Sequence, residues 1–177
     1  MGFKYGGSLD RESESYPGKR AAVVLTAGCA FRCGICFSTP LSSGTEGAQE
    51  MEIPPFLEYF VHKKAELDAV VFSGGEPLHQ AEALTEICGR LRPMEYLVRV
   101  ETSGFYADAL EKILPFVNNV AMDFKTGFNA DDYAKISGFR GEPATLMQDT
   151  FRSLRILRKA KQERPDLYVE FRTTIIP

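Results

Sequence analysis

The chain has little of what marks several large functional classes. It has no basic excess: 21 Lys and Arg stand against 24 Asp and Glu, a formal net charge of −3. No global charge footprint therefore points to nucleic acid or to an anionic membrane. No apolar run approaches the ~18 residues of a membrane span. The first twenty residues are charged and glycine-rich, unlike a secretory signal, so the cytoplasm is the expected compartment. There is no repeat of fixed period and no long low-complexity segment. G-x-G-x-x-G and G-x4-G-K-[ST] are both absent, which removes two kinds of phosphate loop. H-E-x-x-H is absent too. The only histidines, His62 and His79, leave little material for a His-based triad, and His79 reads as a surface or capping residue.

What remains is ordinary for a globular domain: 177 residues, 44% hydrophobic and 25% charged. A closed eight-stranded β/α barrel typically needs roughly 250 residues, so a complete barrel would be unusually compact. Short apolar runs at 21–26, 69–73, 96–102, 119–125 and 168–176 read as strands. Helical spacing marks 54–67, 80–91, 106–114, 131–136 and 145–161, and the Ser- and Gly-rich stretch 41–50 reads as a loop. Strands alternating with helices imply an α/β fold with a parallel sheet built from right-handed crossovers. Residues 1–20 read as a lead-in segment and 21–177 as one partial-barrel domain.

The strand periodicity says more than fold class. Side chains alternate between faces, so Val120, Met122 and Phe124 share one face while Asp123 and Lys125 share the other. In the last strand Val169, Phe171 and Ile175 oppose Glu170, Arg172 and Thr174. Charges on an inner barrel face are expensive unless paired or lining a wet cavity. Two readings follow: inner salt bridges, Asp123 with Lys125 or Glu170 with Arg172, and a polar ligand site inside an incomplete barrel.

Three of the four cysteines, Cys29, Cys33 and Cys36, fall in a C-x3-C-x2-C segment just after the first predicted strand. Ligand loops of α/β folds lie at such strand ends. The spacers are short enough for three thiolates to converge. A structural zinc needs four closed ligands, the fourth coming from Cys88, His62 or His79; Cys88 sits on an apolar helical face and reads as a core residue. A 4Fe–4S cluster on three thiolates would keep one iron open to a substrate. Gly74-Gly75-Glu76-Pro77 follows the second predicted strand. As a turn it is unremarkable; as a ligand loop, its glycines permit close backbone approach and its carboxylate suits an ammonium.

Together, C-x3-C-x2-C and GGEP resemble the radical S-adenosylmethionine superfamily. The resemblance implies a 4Fe–4S cluster on Cys29, Cys33 and Cys36 whose open iron chelates the amino and carboxylate groups of S-adenosylmethionine. One electron then cleaves the S–C5′ bond to release a 5′-deoxyadenosyl radical. Family members usually have an aromatic residue before the third cysteine, near the adenine; Ile35 keeps only an apolar contact. Gly74, Gly75 and Glu76 fall on the segment that contacts the ligand's amino group. Glu101-Thr102-Ser103-Gly104, Asp123-x-Lys125 and Arg172-Thr173-Thr174 resemble strand ends of glycyl-radical activating enzymes. They carry over Thr102, Asp123, Lys125, Arg172 and Thr174 as ligand-binding residues, with Asp123 and Glu101 as candidates to hold a monovalent cation. Tyr16-Pro17-Gly18-Lys19 is similar to the activases' lead-in. The resemblance, from about Tyr5 to Pro177, is nearest to the activating proteins of anaerobic ribonucleoside-triphosphate reductase and pyruvate formate-lyase. It implies a glycyl-radical enzyme as partner and a flavodoxin- or ferredoxin-type electron donor, with neither nucleic acid nor membrane involved. Its rivals are a radical enzyme acting on a small molecule, as in the 7-carboxy-7-deazaguanine synthase family, and a non-enzymatic zinc- or cluster-binding module. Related activases generally continue past this Pro by at least one helix–strand unit, so the chain is expected to be either a minimal open barrel or a truncated one.

Overall fold

A computed structural model describes residues 1–10, 14–44, 47–173 and 175. The five apolar runs form five parallel strands: β2 (Ala21–Thr26), β4 (Ala69–Gly74), β5 (Leu97–Thr102), β6 (Asn119–Phe124) and β7 (Tyr168–Thr173). The helices between them are α2 (Ile53–Lys63), α3 (Ala81–Leu91), α4 (Ala107–Ile113), α5 (Ala130–Ser137) and α6 (Pro143–Glu163). The strand starts 21, 69, 119 and 168 coincide with those expected.

Two further strands complete a sheet of order β3-β1-β2-β4-β5-β6-β7. β1 (Gly2–Leu9) runs antiparallel to both its neighbours, β2 and β3 (Gln49–Glu52). Gly2–Leu9, within the segment expected as a lead-in, is therefore a strand of the sheet. β1 was hard to read because glycine is depleted in strands and three of its eight residues are glycine. A register irregularity between Tyr5 and Gly7 interrupts the ladder there, and Gly7 takes a φ of 122° that favours glycine. What holds β1 is Phe3, buried against Phe56 of α2 with ring centroids 5.0 Å apart. The 41–50 stretch likewise contains the end of α1 (Thr39–Ser43) and the start of β3.

The central strands read as continuous apolar runs because both faces are covered. On the helix side, Val70, Phe72, Val98, Val100, Val120 and Met122 meet Phe60, Ile87, Leu91, Leu110 and Ile113 in one core. On the other side, Ala21, Val23, Ala69 and Val71 form a small cluster closed by Tyr16. The parallel strands form an incomplete β/α barrel with β7 at its open edge. All five send their carboxyl ends to the same rim, where the site lies. No helix among the described residues is long and apolar enough to cross a membrane.

Candidate ligand and cluster site

The cysteine loop leaves β2 through Gly28, whose φ of 93° favours glycine. Phe31 anchors the loop: it is buried between Phe105 and Phe139, with centroids 5.8 and 6.0 Å away. The Arg32 N–H donates to the carbonyl of Ser137 at the end of α5 (2.8 Å). The Arg32 guanidinium turns back to donate to the carbonyl of Cys29 (2.7 Å). The Cys36 N–H donates to the carbonyl of Cys33 (3.1 Å). All three thiols are free and half-buried. They line one cavity of about 450 Å³, within the range of small-molecule sites.

The glycine pair at the end of β4 welds the next loop to this one. The Gly75 N–H donates to the Thr26 carbonyl and the Glu76 N–H to the Gly28 carbonyl, both at 2.8 Å. A Cβ on Gly75 would lie 2.4 Å from the Gly28 carbonyl oxygen, so only glycine allows this approach. Glu76 itself turns inward and is fully buried. Its Oε1 accepts from Thr102 Oγ1 (2.8 Å) and the Leu78 N–H (3.1 Å); its Oε2 accepts from the Ser103 N–H and Oγ (both 2.7 Å). Burial pushes this carboxyl above its ordinary range, against the lowering effect of those donors. Four donors match the roughly four acceptor positions of a carboxylate. Glu76 is thus committed to bracing the ends of β4 and β5.

The inner faces of β5, β6 and β7 carry six charges that alternate in sign. Glu170 pairs with Arg99 (3.0 Å) and Arg99 with Glu101 (3.2 Å). Arg172 bridges Glu101 (2.8 Å) and Asp123 (2.7 Å), and Asp123 meets Lys125 (3.1 Å). Both sequence readings thus hold in part: the charges are paired, with Asp123–Lys125 as expected and Glu170 on Arg99 rather than Arg172, and Asp123, Lys125 and Arg172 also line the cavity. Burial would raise the Glu101 carboxyl, but Arg172, the Ser73 hydroxyl and Arg99 outweigh it and hold it below its ordinary range. Glu101 and Asp123, the two residues expected to hold a monovalent cation, both accept from the Arg172 guanidinium.

One cavity wall thus gathers Cys29, Cys33, Cys36, Ile35, Gly74, Gly75, Glu76, Thr102, Asp123, Lys125 and Arg172. Thr174 lies outside the described residues; its neighbour Thr173 lines the cavity. Sequence reasoning missed Arg99 and Ser73. Arg99 stands two residues before Glu101 on one strand, so the same period-two alternation finds it. Ser73, whose hydroxyl donates to Glu101 (2.8 Å), had no such signal.

The alternative zinc ligands are occupied elsewhere. Cys88 is wholly buried in the core, His62 is exposed on α2, and His79 Nδ1 is 2.6 Å from the Tyr106 hydroxyl. Among the described residues no three His, Cys, Asp or Glu side chains close around a point as ligands of one ion would. Three soft thiols lining one cavity suit an iron–sulfur centre.

Residues 16–143 match the family model described as a 4Fe-4S single cluster domain. The chain belongs to that family. The radical S-adenosylmethionine resemblance is borne out with it. A Methanocaldococcus jannaschii protein provisionally named glycyl-radical enzyme activating enzyme is 26% identical over 174 residues, covering 97% of this chain and 68% of that one. Pyruvate formate-lyase-activating enzyme of Clostridium pasteurianum is 31% identical over 126 residues (69% and 52%). 7-Carboxy-7-deazaguanine synthase of M. jannaschii is 29% identical over 147 residues (74% and 58%). The chain therefore spans between about half and two thirds of these relatives' lengths. A solved structure of TYW1 with a lysine–pyruvate adduct bound superposes with a TM-score of 0.62 at 15% identity, covering 93% of this chain and 68% of that one. At that identity the likeness speaks for the fold.

Proposed function

We propose that this chain is an activating enzyme that reductively cleaves S-adenosylmethionine and takes a hydrogen atom from a backbone glycine of a partner enzyme. The observation that supports it best is the single cavity shared by three free thiols, the Gly74-Gly75 loop and a cation-bearing floor. When bound, a 4Fe–4S cluster supplies the low-potential electron and one open iron for the ligand's amino acid moiety. Cys29, Cys33 and Cys36 would hold it. The chain's residues do the rest. The Gly74-Gly75 backbone, pressed against Thr26 and Gly28 because it has no Cβ, lines the cavity where the ligand's ammonium would lie. Arg172 and Lys125 meet the carboxylate, Asp123 offers a hydrogen-bond acceptor to polar ligand groups, and Thr102, its hydroxyl given to Glu76, shapes the cavity wall. Ile35 contributes apolar surface at the adenine side. Glu76 keeps the loop in place from behind.

Burial pushes the Cys29 thiol up to about 11, and the neighbouring Cys33 and Cys36 add to the shift despite an N–H donated by Phe31. Binding a centre there therefore releases protons. The partner is proposed to be a glycyl-radical enzyme such as an anaerobic ribonucleotide reductase, whose target segment enters at the open side of the barrel.

Anaerobic reconstitution should give about four irons per chain. With dithionite, S-adenosylmethionine should yield 5′-deoxyadenosine, and a candidate reductase should show a glycyl-radical EPR doublet. Cys33→Ala should lose the iron and the cleavage while keeping its circular dichroism. Unfolding of Cys33→Ala with no cleavage in the parent would instead indicate a structural metal module. Turnover of a soluble pterin without any protein partner would favour the small-molecule reading, which the 29% identity to a deazaguanine synthase keeps in view.

A further inference from the structure

The two halves of the candidate site stand on strands that do not pair with each other. The cysteine loop follows β2, and Asp123 and Lys125 stand at the end of β6; β4 and β5 lie between them in the sheet. Strand pairing therefore sets the gap between Cys33 and Lys125 only indirectly, although both line one cavity. A direct connection runs through α5. The Asn129 side chain caps its first turn by accepting from the Asp132 N–H (3.0 Å). At its other end Gly138 takes a φ of 61° and presses on the cysteine loop, where a Cβ would collide with the Arg32 carbonyl.

Two ties leave α5 from one face. Tyr133 and Ser137 are four residues apart, hence on the same side and about 6 Å apart along the axis, and both are wholly buried. The Tyr133 hydroxyl accepts from the Lys125 N–H (3.2 Å), and its own proton faces the Asp123 carbonyl at 3.5 Å. The Ser137 carbonyl accepts from the N–H of Arg32 (2.8 Å), the residue before Cys33. Phe139, just past the helix, packs on Phe31 of the same loop with centroids 6.0 Å apart. A phenylalanine would fill the place of Tyr133 without the cost of a buried hydroxyl. The hydroxyl's partners are the main-chain groups of the two residues that face the ligand cavity.

We infer that Tyr133 is a positioning residue: through one turn of α5 it holds the Asp123–Lys125 end of β6 at a set distance from the cysteine loop. This rests on the proposed function, in which one ligand must reach both the centre on the cysteines and the Lys125 cation. Tyr133 itself does not line the cavity. Its hydroxyl fixes the backbone from which Lys125 reaches in, and the Ser137 carbonyl fixes the backbone that carries Cys33. When this strut loosens, the two sides of the cavity lose their spacing, and the ligand loses affinity before the fold is lost.

The test compares Tyr133→Phe with Tyr96→Phe in the anaerobically reconstituted chain. Tyr96 is also buried, and its hydroxyl donates to the Phe60 carbonyl (2.8 Å), away from the cavity. Both variants should melt about 2–4 °C lower and keep the parent's iron. Tyr133→Phe should bind S-adenosylmethionine about fivefold more weakly by calorimetry, whereas Tyr96→Phe should bind it like the parent. Hydrogen exchange without ligand, read by mass spectrometry, should quicken in Tyr133→Phe both around Lys125 and around Arg32. Asn129→Ala, which uncaps α5 from its exposed side, should move affinity and exchange in the same direction, and it takes over if Tyr133→Phe does not fold. The inference is overturned if Tyr133→Phe melts lower yet binds the ligand like the parent. It is equally overturned if Tyr96→Phe loses as much affinity, or if the faster exchange stops at Lys125. A parent that binds S-adenosylmethionine but does not cleave it with dithionite refutes the proposed function and leaves the affinity comparison standing. A parent that does not bind it refutes that function too, and the exchange around Arg32 then decides.

Discussion

Replacing Glu76 by Gln separates two roles that a ligand loop can give a carboxylate. The side chains are nearly isosteric, but the four partners of Glu76 all donate: two backbone N–H groups and two hydroxyls. The Gln carbonyl oxygen can serve one pair. Its NH2 must face the other, and although a hydroxyl can rotate to accept, a backbone N–H cannot. Either amide orientation orphans one buried N–H, Leu78 or Ser103, at about 1–3 kcal/mol. Removing a buried charge returns part of that cost, because burial pushes the Glu76 carboxyl above its ordinary range. A net loss of about 2 kcal/mol corresponds to a melting temperature about 4–8 °C lower for a domain of this size. The linkage sign also follows. A raised folded-state pKa gives stability that is full below the unfolded value and lost as pH rises through the folded one. The parent's advantage over Glu76→Gln should therefore be larger at pH 4 than at pH 7. Differential scanning calorimetry at both pH values measures this, with S-adenosylmethionine binding measured alongside. An unchanged melting temperature together with lost ligand affinity would refute the bracing argument and make Glu76 a direct ligand group.

Gly75→Ala forces a Cβ against the Gly28 carbonyl. It should cost about 3 kcal/mol, the upper end for overpacking, and lower the iron retained per chain, read by melting and by iron assay. Arg99→Met strips Glu170 of its cation and leaves Glu101 with Arg172 alone. The loss should be about 2–4 kcal/mol, below that of a fully buried pair because Glu170 is part-exposed, with partial rescue by Arg99→Lys in urea melts. Arg172→Met should let the Glu101 carboxyl rise. The parent keeps this stability above the ordinary carboxylate pKa and loses it only as pH falls through the lowered folded value. The variant should start to lose stability at a higher pH in acid titrations followed by circular dichroism.

The parallel strands were legible because burial on both faces leaves continuous apolar runs such as Ala21–Thr26, and two-sided burial has no other cheap sequence solution. The site was legible where chemistry restricts residue choice: three thiols at short spacing, and a glycine pair pressed on backbone. β1 and β3 were not. Gly2–Leu9 is held by one buried phenylalanine and main-chain pairing, and Gln49–Glu52 offers a single apolar residue, so neither left a periodic signature. The role of Glu76 was hidden for a different reason. A carboxylate after two glycines suits an external ammonium, and only the fold shows that four internal donors claim it. Asp123 and Glu101 look like cation ligands in sequence for the same reason; Arg172 reaches them from a strand 49 and 71 residues further along the chain.

The row of six alternating charges contains three anions and three cations and is neutral as a whole. A purely anionic guest would have to break a pair and leave one carboxylate stranded. A zwitterion brings one charge of each sign. In the proposed arrangement its carboxylate would enter the row on Arg172 or Lys125 while its ammonium, at the Gly74-Gly75 loop, brings the compensating charge. The sheet interior would then discriminate by charge order as well as by shape, favouring amino acid head groups over phosphates or simple acids of the same size.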